Sequence, residues 1–249
     1  DTSEAGATWQ ARGVRLATWN VLAQAYVLPS RYAGADPDVL VADVRGPLVR
    51  RRILELLATH DVVGLQEAEP DIVAWLTELP GADVVATMRG NGKDGVALVS
   101  QTRRLDDADT ALTADRKRAW AGATVDGVDV VTLHLDPDWP QRKLHGADQA
   151  HELVAWIDAR PPRPVVVMGD LNARWHSATG SVLRDAGFVH APVSATAATN
   201  GKVRTLDVVA SRGLEVTADP TSLPEDGTAL WLPSYAEPSD HVPITATTG

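Results

Sequence analysis

The chain has 249 residues and a formal net charge of -10, because 33 acidic residues outnumber 23 lysines and arginines. Broad capture of nucleic acid by a basic surface is therefore excluded, whereas a local basic groove is compatible with this charge. The cysteine count of 0 excludes disulfides, thiolate metal sites and cysteine nucleophiles, so any metal ion is bound by oxygen and imidazole ligands.

The hydrophobic content of 44% is typical of a globular protein with a substantial core. No apolar run approaches the roughly 18 residues that a membrane span requires, so we expect a soluble protein without a span. We predict a flexible N-terminal segment at 1–12 and a single domain at 13–249. We also expect a monomer and favour a cytoplasmic location. Because the chain begins at Asp1 without a methionine, an upstream signal or a fused domain outside it remains an open alternative.

The first half of the chain predicts short strands that end in polar residues. Residues 14–19 form a strand pattern that ends at Asn20, and the apolar residues 62–65 lead to Glu67. Between these strands, residues 48–58 place their apolar side chains on one face of an amphipathic helix. Polar side chains at the ends of buried strands are candidates for catalysis, since the scaffold holds them where they meet solvent.

The second half begins with the clearest hairpin, at residues 119–135, where Asp126 and Gly127 can adopt the left-handed conformations of a tight turn. A helix follows at 146–159, because its apolar residues share one face. Further strands are predicted at 165–168, 206–210 and 242–246, with a loop at 219–238. Antiparallel hairpins together with crossover helices favour sheets that pack face to face with helices outside them.

Three motifs in this half carry side chains suited to catalysis. Asp170 and Asn172 alternate along a segment that we expect to be extended, which would point both side chains the same way. Asp240 and His241 place a carboxylate, a ligand for hard metal ions, beside a proton-transfer group. His134 is a polar residue inside an apolar strand. Each of these residues has a plain structural interpretation when it is taken alone.

The motifs gain weight from their order along the chain, which is Ala17-Thr18-Trp19-Asn20, Leu65-Gln66-Glu67, Gly95-Val96-Ala97-Leu98, Thr132-Leu133-His134-Leu135, Gly169-Asp170-Leu171-Asn172, Leu206-Asp207-Val208-Val209 and Ser239-Asp240-His241. Over nearly the whole chain this set resembles the endonuclease/exonuclease/phosphatase superfamily. Residues 20–24, 94–95 and 134–143 are most similar to its deadenylase and nocturnin branch. The departures are Leu206-Asp207-Val208 in place of Ile-Asp-Tyr, and Trp19 in place of a tyrosine.

The resemblance implies an α/β fold, a four-layer α-β-β-α sandwich of two mixed β-sheets flanked by helices, with the site at one edge of the sheets. It implies that Glu67 is the principal Mg2+ ligand and that Asn20 and Asp240 complete the metal shell. Mg2+ prefers a few carboxylate and carbonyl oxygens, which agrees with a site that contains no sulfur. Mn2+ is the expected substitute.

The resemblance also implies roles for the remaining motif residues. Asp170 and Asn172 would position the attacking water and the phosphate, and Asp207 would orient His241. His134 and His241 would donate hydrogen bonds to the phosphoryl oxygens and so stabilise the charge that grows in the transition state.

Nearby cationic and aromatic residues are candidates for substrate binding. Arg118 lies in a basic cluster, where a phosphate contact and a solvated loop are equally good interpretations. The same two interpretations apply to Lys202 and Arg204. Trp139 and Trp175 follow the His134 and Asn172 motifs, where an indole could stack on a base. For both tryptophans a role in the core is favoured.

We therefore expect a Mg2+-dependent phosphodiesterase that hydrolyses nucleic acid, and a deadenylase-like ribonuclease acting on single-stranded RNA best fits the motifs. The alternative is a phosphatase for a nucleotide or an inositol phosphate. The net charge of -10 favours the small substrate, and the basic clusters at 50–52 and 116–118 favour nucleic acid. A non-catalytic binding module is disfavoured, because the complete set of implied catalytic residues is present.

Overall fold

The structure is a computed structural model that describes residues 13–138, 145–199, 201–223 and 231–249. The segment at 1–12, predicted to be flexible, and Trp139 lie outside these residues. Two six-stranded mixed sheets pack against each other, and helices cover their outer faces. The predicted four-layer sandwich is thereby confirmed.

The strands and helices follow one another along the whole described chain. The strands are β1 (Arg15–Asn20), β2 (Val62–Ala68), β3 (Asp83–Met88), β4 (Gly95–Ser100), β5 (Asp106–Leu112), β6 (Ala119–Val125), β7 (Val128–His134), β8 (Val165–Asp170), β9 (Val189–His190), β10 (Ala197–Thr199), β11 (Lys202–Arg204), β12 (Asp207–Arg212), β13 (Val216–Ala218) and β14 (Ile244–Thr248). The α-helices are α1 (Ala42–Thr59), α2 (Pro70–Glu78), α3 (His145–Asp158) and α4 (Ala178–Asp185). Short 3-10 helices lie at Gln24–Tyr26, Pro29–Arg31 and Pro37–Leu40.

The first sheet has the strand order β13-β14-β1-β2-β4-β3. Its central strands β1 and β2 run parallel, and their register pairs Asn20 with Gln66. Because parallel strands end at the same edge of a sheet, Asn20 and Glu67 come to lie close together. One edge of this sheet therefore carries the first two sequence motifs, with Asn20 and Glu67.

The second sheet has the strand order β5-β6-β7-β8-β12-β9. Parallel pairing of β7 with β8 aligns His134 with Asp170, and antiparallel pairing of β8 with β12 aligns Asp170 with Asp207. The predicted hairpin is present, since Asp126 and Gly127 adopt φ values of 48° and 84° between β6 and β7. Three motif residues therefore stand side by side at one edge of the second sheet.

The main core lies between the two sheets, where valine, leucine and alanine side chains of both sheets are buried together. Two outer cores join α1 and α2 to the first sheet, and α3 and α4 to the second. Helix α1 begins at Ala42, six residues before the predicted start at 48. The prediction began too late because Gly46 and Pro47 are poor helix formers and weaken the helical pattern there. No helix in the described part of the chain combines the length and the apolar character that a membrane crossing requires.

Candidate active site

The motifs predicted to be catalytic, from both sheets, meet at one edge of the sandwich. The side-chain amide of Asn20, at the end of β1, donates a hydrogen bond of 3.0 Å to Asp170, at the end of β8. Strands from different sheets are therefore joined directly at the site. The residues brought together here are Asn20, Glu67, His134, Asp170, Asn172, Asp207, Asp240 and His241.

Glu67 lies on a bulge in β2, where the register with β4 shifts and the backbone adopts a φ of 56°. A left-handed conformation is costly for a residue other than glycine, and a bulge redirects a side chain toward a site. The Glu67 carboxylate accepts hydrogen bonds from Asn20 Nδ2 at 3.2 Å and from the backbone N–H of Ala23 at 2.9 Å. Burial and the negative charge of Asp240 raise the pKa of Glu67 above its usual value.

Asn172 differs from the sequence prediction, because it is not part of an extended segment. Its φ of 51° is left-handed, and its backbone N–H donates to Asp170 Oδ1 at 2.6 Å. An asparagine tolerates this conformation well, and here it closes a tight turn. The expected alternation of Asp170 and Asn172 is therefore wrong, and a turn brings the two side chains together instead.

Asp170 is buried at the centre of the site. Its Oδ2 lies 3.0 Å from Asn20 Nδ2, 3.6 Å from His134 Nε2 and 3.9 Å from His241 Nε2. Burial, together with the negative charge of Asp207, raises the pKa of Asp170 to about 7. A carboxylate with such a pKa can exchange a proton with water near neutral pH.

His241 is paired with Asp207 through a contact of 2.8 Å between Nδ1 and Oδ2. Burial opposes the charged form of the ring, but the negative charges of Asp207 and Asp170 and the hydrogen bond outweigh burial, so the pKa of His241 rises well above 6.5. Because Nδ1 is bonded to Asp207, the ring presents Nε2 to the cleft, which is lined by Glu67, His134, Asp170, Asn172, Asp240 and His241. The contact with Asp207 is the one that the resemblance implies.

His134 has the opposite environment. Its Nε2 lies 2.7 Å from Arg118 Nη1 and 2.9 Å from Asn172 Nδ2, both of which are donors, so Nε2 acts as the acceptor. Burial and the positive charge of Arg118 lower the pKa of His134 well below 6.5. In this arrangement the donors that face the cleft beside His134 belong to Arg118 and Asn172. Donation from His134 to a phosphoryl oxygen stays a prediction.

Three further side chains hold the motifs in place. The indole N–H of Trp19 donates to the backbone oxygen of His241 at 2.9 Å, which gives the tryptophan a structural role at a position where the branch often has tyrosine. Ser239 Oγ donates to the backbone oxygen of Asn20 at 2.7 Å. The Gln66 amide joins the two sheets by donating to Thr18 and Thr132. Hydrogen bonds between the strand ends therefore fix the candidate site to the two sheets.

The sequence prediction missed several residues of the cleft. Tyr32 donates its hydroxyl to Asp240 Oδ2 at 3.1 Å, and Thr199 donates to the same oxygen at 3.1 Å. Arg89 binds the fully buried Asp94 and also contacts the hydroxyl of Tyr26. Asp94 precedes a buried strand and belongs to a segment noted for its resemblance, which is the signal that could have revealed this group.

The substrate-binding candidates fall at different places. Arg118 and Arg204 line the cleft, whereas the exposed Lys202 does not. Trp175 packs parallel to His190, with ring centroids 5.0 Å apart, and does not line the described cleft. The environment of Trp175 thus agrees with the favoured role in the core, while that of Trp139 lies outside the described residues.

The donors at the site fit a divalent cation that prefers oxygen ligands. The described ion pairs of Glu67, Asp170 and Asp207 involve only histidine, so no lysine or arginine in this part of the chain neutralises them. Asp170, Asp207 and His241 each bring one ligand atom within 4.8 Å of the others. Asn20 turns its amide nitrogen to the carboxylates, because its oxygen accepts from Leu22 N–H. Its role as a metal ligand stays a prediction.

Comparison with known proteins identifies the chain. Residues 17–241 match the model of the Endonuclease/Exonuclease/phosphatase family, although no curated sequence matches the chain. ANGEL2, a 2',3'-cyclic phosphatase in complex with adenosine-2',3'-vanadate, is 18% identical, with 95% of both chains covered and a TM-score of 0.78.

Two further structures share the fold. The human nocturnin catalytic domain with bound sulfate is 22% identical, with 95% of this chain and 93% of that chain covered and a TM-score of 0.67. The mannosyl-6-phosphatase of Bacteroides thetaiotaomicron is 16% identical, with coverages of 95% and 99% and a TM-score of 0.63. Because the family model matches most of its length, the chain belongs to the endonuclease/exonuclease/phosphatase family of phosphoester hydrolases.

Proposed function

We propose that this chain is a Mg2+-dependent phosphodiesterase that cleaves nucleic acid and acts best on single-stranded RNA. The observation that carries the proposal is the position of Asp170. This buried carboxylate, with its pKa raised to about 7, lies within 4 Å of Asn20 Nδ2, His134 Nε2 and His241 Nε2. A general base therefore lies beside two hydrogen-bond donors, Asn20 Nδ2 and His241 Nε2, as attack of water on a phosphate requires.

Each residue contributes a separate part of the chemistry. A divalent cation held by Glu67 and Asp240 would supply the positive charge that lets an anionic phosphate accept a nucleophile. Asp170 removes a proton from water, and its backbone contact with Asn172 keeps the carboxylate oriented. His241, held by Asp207, donates from Nε2 to a phosphoryl oxygen as negative charge develops there.

The shape and charge of the cleft support a nucleotide-containing substrate. The cleft has a volume of about 520 Å³ and shares Arg118 with an adjoining cavity of about 490 Å³. Arg31, Arg89 and Arg204 also line the cleft. Guanidinium groups match the geometry of phosphate oxygens. The similar ANGEL2 structure holds an adenosine derivative, which is consistent with binding of a nucleotide here.

A small phosphorylated molecule is the second candidate. The similar structure that is named a mannosyl-6-phosphatase supports this candidate, and a cleft of about 520 Å³ has the size of a small-ligand site. The net charge of -10 also opposes long-range attraction of a polyanion. Only the substrate separates the two candidates, because the catalytic residues serve both.

The test is a panel of labelled RNA and DNA oligonucleotides of one sequence, assayed beside NADP and inositol phosphates with Mg2+, with Mn2+ and with EDTA. We expect metal-dependent cleavage, with RNA giving the highest kcat/KM. Higher kcat/KM on NADP or an inositol phosphate would replace the nuclease with the small-molecule phosphatase. Undiminished hydrolysis in EDTA would contradict the metal requirement.

Two isosteric variants separate metal binding from proton transfer. Glu67→Gln should lower turnover by about two or more orders of magnitude and weaken Mg2+ binding, because a ligand charge is lost. Asp170→Asn should lower turnover at least as much with a smaller change in Mg2+ affinity, because an amide cannot accept the proton. Titration of Mg2+ by calorimetry checks this division, and equal loss of affinity in both variants would disprove it.

A further inference from the structure

A second cavity of about 490 Å³ adjoins the catalytic cleft. It is lined by the loops at residues 89–91 and 115–118 and by Asp136, and we name it the basic groove. Arg89, Arg118 and Asp136 line both the basic groove and the catalytic cleft. The two cavities are therefore neighbours that share walls, and one extended ligand can occupy both.

The charge of the basic groove is opposite to that of the molecule. Arg89, Arg116, Lys117 and Arg118 line it, against two carboxylates, whereas the whole chain carries a net charge of -10. Lys117 pairs with Asp115 at 3.1 Å, and Arg118 pairs with Asp136 at 2.7 Å.

Arg116 differs from these neighbours. Within the described residues the exposed Arg116 side chain forms no ion pair, so its charge is open to a ligand.

The backbone at Arg116 supplies an independent observation. Its φ of 57° is left-handed, a conformation that glycine adopts freely and that is costly for arginine. The residue is held there because its N–H donates to Thr113 O at 2.7 Å and its carbonyl accepts from Gly90 N–H at 2.9 Å. A Cβ added at Gly90 would lie only 2.9 Å from this carbonyl, so the two loops approach as closely as glycine permits. A long cationic side chain thus occupies a strained position at the rim of the groove.

We propose that the basic groove binds a phosphate of the polynucleotide strand next to the scissile phosphate, with Arg116 as the main contact. The proposal rests on the proposed function, since it assigns the adjoining part of the same substrate. Guanidinium groups bind phosphate oxygens with two parallel hydrogen bonds, and each such contact in a single strand releases counterions. A strand of several nucleotides should therefore bind more tightly than a dinucleotide.

Binding can be measured separately from hydrolysis with phosphorothioate RNA of two and of six nucleotides, in Mg2+, by fluorescence anisotropy at several salt concentrations. The test variant is Arg116→Gly, because glycine removes the side chain and suits the left-handed backbone, so folding is preserved. Arg116→Lys keeps the charge. The matched control is Arg104→Gly, which removes one positive charge from a side chain that is 87% exposed, near the start of β5 and the hairpin turn at the other end of the sheet.

We expect Arg116→Gly to weaken binding of the six-nucleotide RNA by about tenfold, as for loss of a charge-assisted hydrogen bond. The slope of log K against log salt should decrease by about 0.7 for the phosphate contact that is lost. Arg104→Gly should change neither quantity, and Arg116→Lys should retain most of the affinity. Melting temperatures of all variants check that each protein is folded.

Equal affinities and salt slopes for Arg116→Gly and Arg104→Gly would overturn the proposal. Arg116-dependent binding of inositol hexakisphosphate that is tighter than that of the six-nucleotide RNA would overturn the polynucleotide assignment. Hydrolysis of bis-p-nitrophenyl phosphate tests the phosphodiesterase independently. If the protein hydrolyses this ester but binds RNA without dependence on length, only the phosphate-binding role of the basic groove is overturned. If binding depends on length but no hydrolysis occurs, the phosphodiesterase proposal is overturned and the binding role of the groove is supported.

Discussion

The two histidines of the site occupy opposite electrostatic environments only a few ångströms from one carboxylate. His134 lies 3.6 Å and His241 lies 3.9 Å from Asp170 Oδ2. Arg118 contacts the ring of His134, whereas Asp207 contacts the ring of His241. The pKa of His134 is lowered by burial and by the positive charge of Arg118, and the pKa of His241 is raised by the negative charges of Asp207 and Asp170 in spite of burial.

This difference shows that the neighbouring charge, rather than the residue type, decides what a buried imidazole can do. A neutral ring whose Nε2 accepts hydrogen bonds can hold donors in place, as His134 holds Asn172 and Arg118. A ring whose pKa is raised by a carboxylate at Nδ1 can donate from Nε2, as in His241. We therefore expect His241 to contribute more to turnover than His134.

The largest effect is expected for His241→Gln, which removes a charged donor while keeping much of the volume. We predict that kcat falls by about two to three orders of magnitude with a small change in KM, because the lost hydrogen bond is strongest in the transition state. Steady-state kinetics on an RNA oligonucleotide provide the measurement. His134→Gln is the matched comparison, and an equal or larger fall there would reverse the ranking of the two histidines.

The second prediction concerns Asp207→Asn, which keeps the shape of the pair and removes its negative charge. Without that charge the pKa of His241 falls, so the proton needed for donation is lost at a lower pH. We expect kcat to fall by about tenfold or more, and the decline of kcat on the alkaline side to begin at lower pH than in the wild type. An unchanged pH profile would show that His241 does not act as a charged donor.

A smaller effect is expected for Arg118→Met, which replaces the guanidinium beside His134 with an uncharged chain of comparable length. We predict that the pKa of His134 rises toward 6.5 and that kcat/KM falls by about tenfold or less, since Asn172 still bonds to the ring. Nitrogen chemical shifts of the histidine rings, measured against pH, report the change directly. A His134 resonance that titrates as in the wild type would exclude Arg118 as the cause.

The smallest effects are expected on the stability of the metal-free protein. The raised pKa of His241 stabilises the folded state at pH below 6.5. This stabilisation is lost as the pH rises through that raised pKa. The lowered pKa of His134 stabilises the folded state at pH above 6.5. This contribution is lost as the pH falls toward that lowered pKa. Each pKa unit corresponds to about 1.4 kcal/mol.

Urea unfolding in EDTA at pH 5 and pH 8 measures both contributions. Relative to the wild type, His241→Gln should cost more free energy of unfolding at pH 5, and His134→Gln should cost more at pH 8. The two variants therefore depend on pH with opposite sign. The same pH dependence in both variants would contradict the opposite pKa shifts of the two histidines.

Local sequence patterns predicted much of the fold, because the formation of strands, helices and turns depends largely on residues that are neighbours in the chain. The alternation and length of apolar runs predicted β1, β2 and β8, and Asp126-Gly127 predicted the turn between β6 and β7. Motif order also identified the polar residues of the site before any distance was known. Local signals failed at Asn172, where a left-handed turn replaces the extended segment that alternation favours.

Only the tertiary structure decided how these residues act. Arg118, immediately before β6, reaches His134 at the end of β7, and Asn20 of the first sheet bonds to Asp170 of the second. No pattern along the chain encodes such distances, and the pKa of a buried group depends on burial and on every charge packed around it. The sequence therefore determined most of the polar side chains that the site contains, whereas the packing of the two sheets determined their partners and the direction of their pKa shifts.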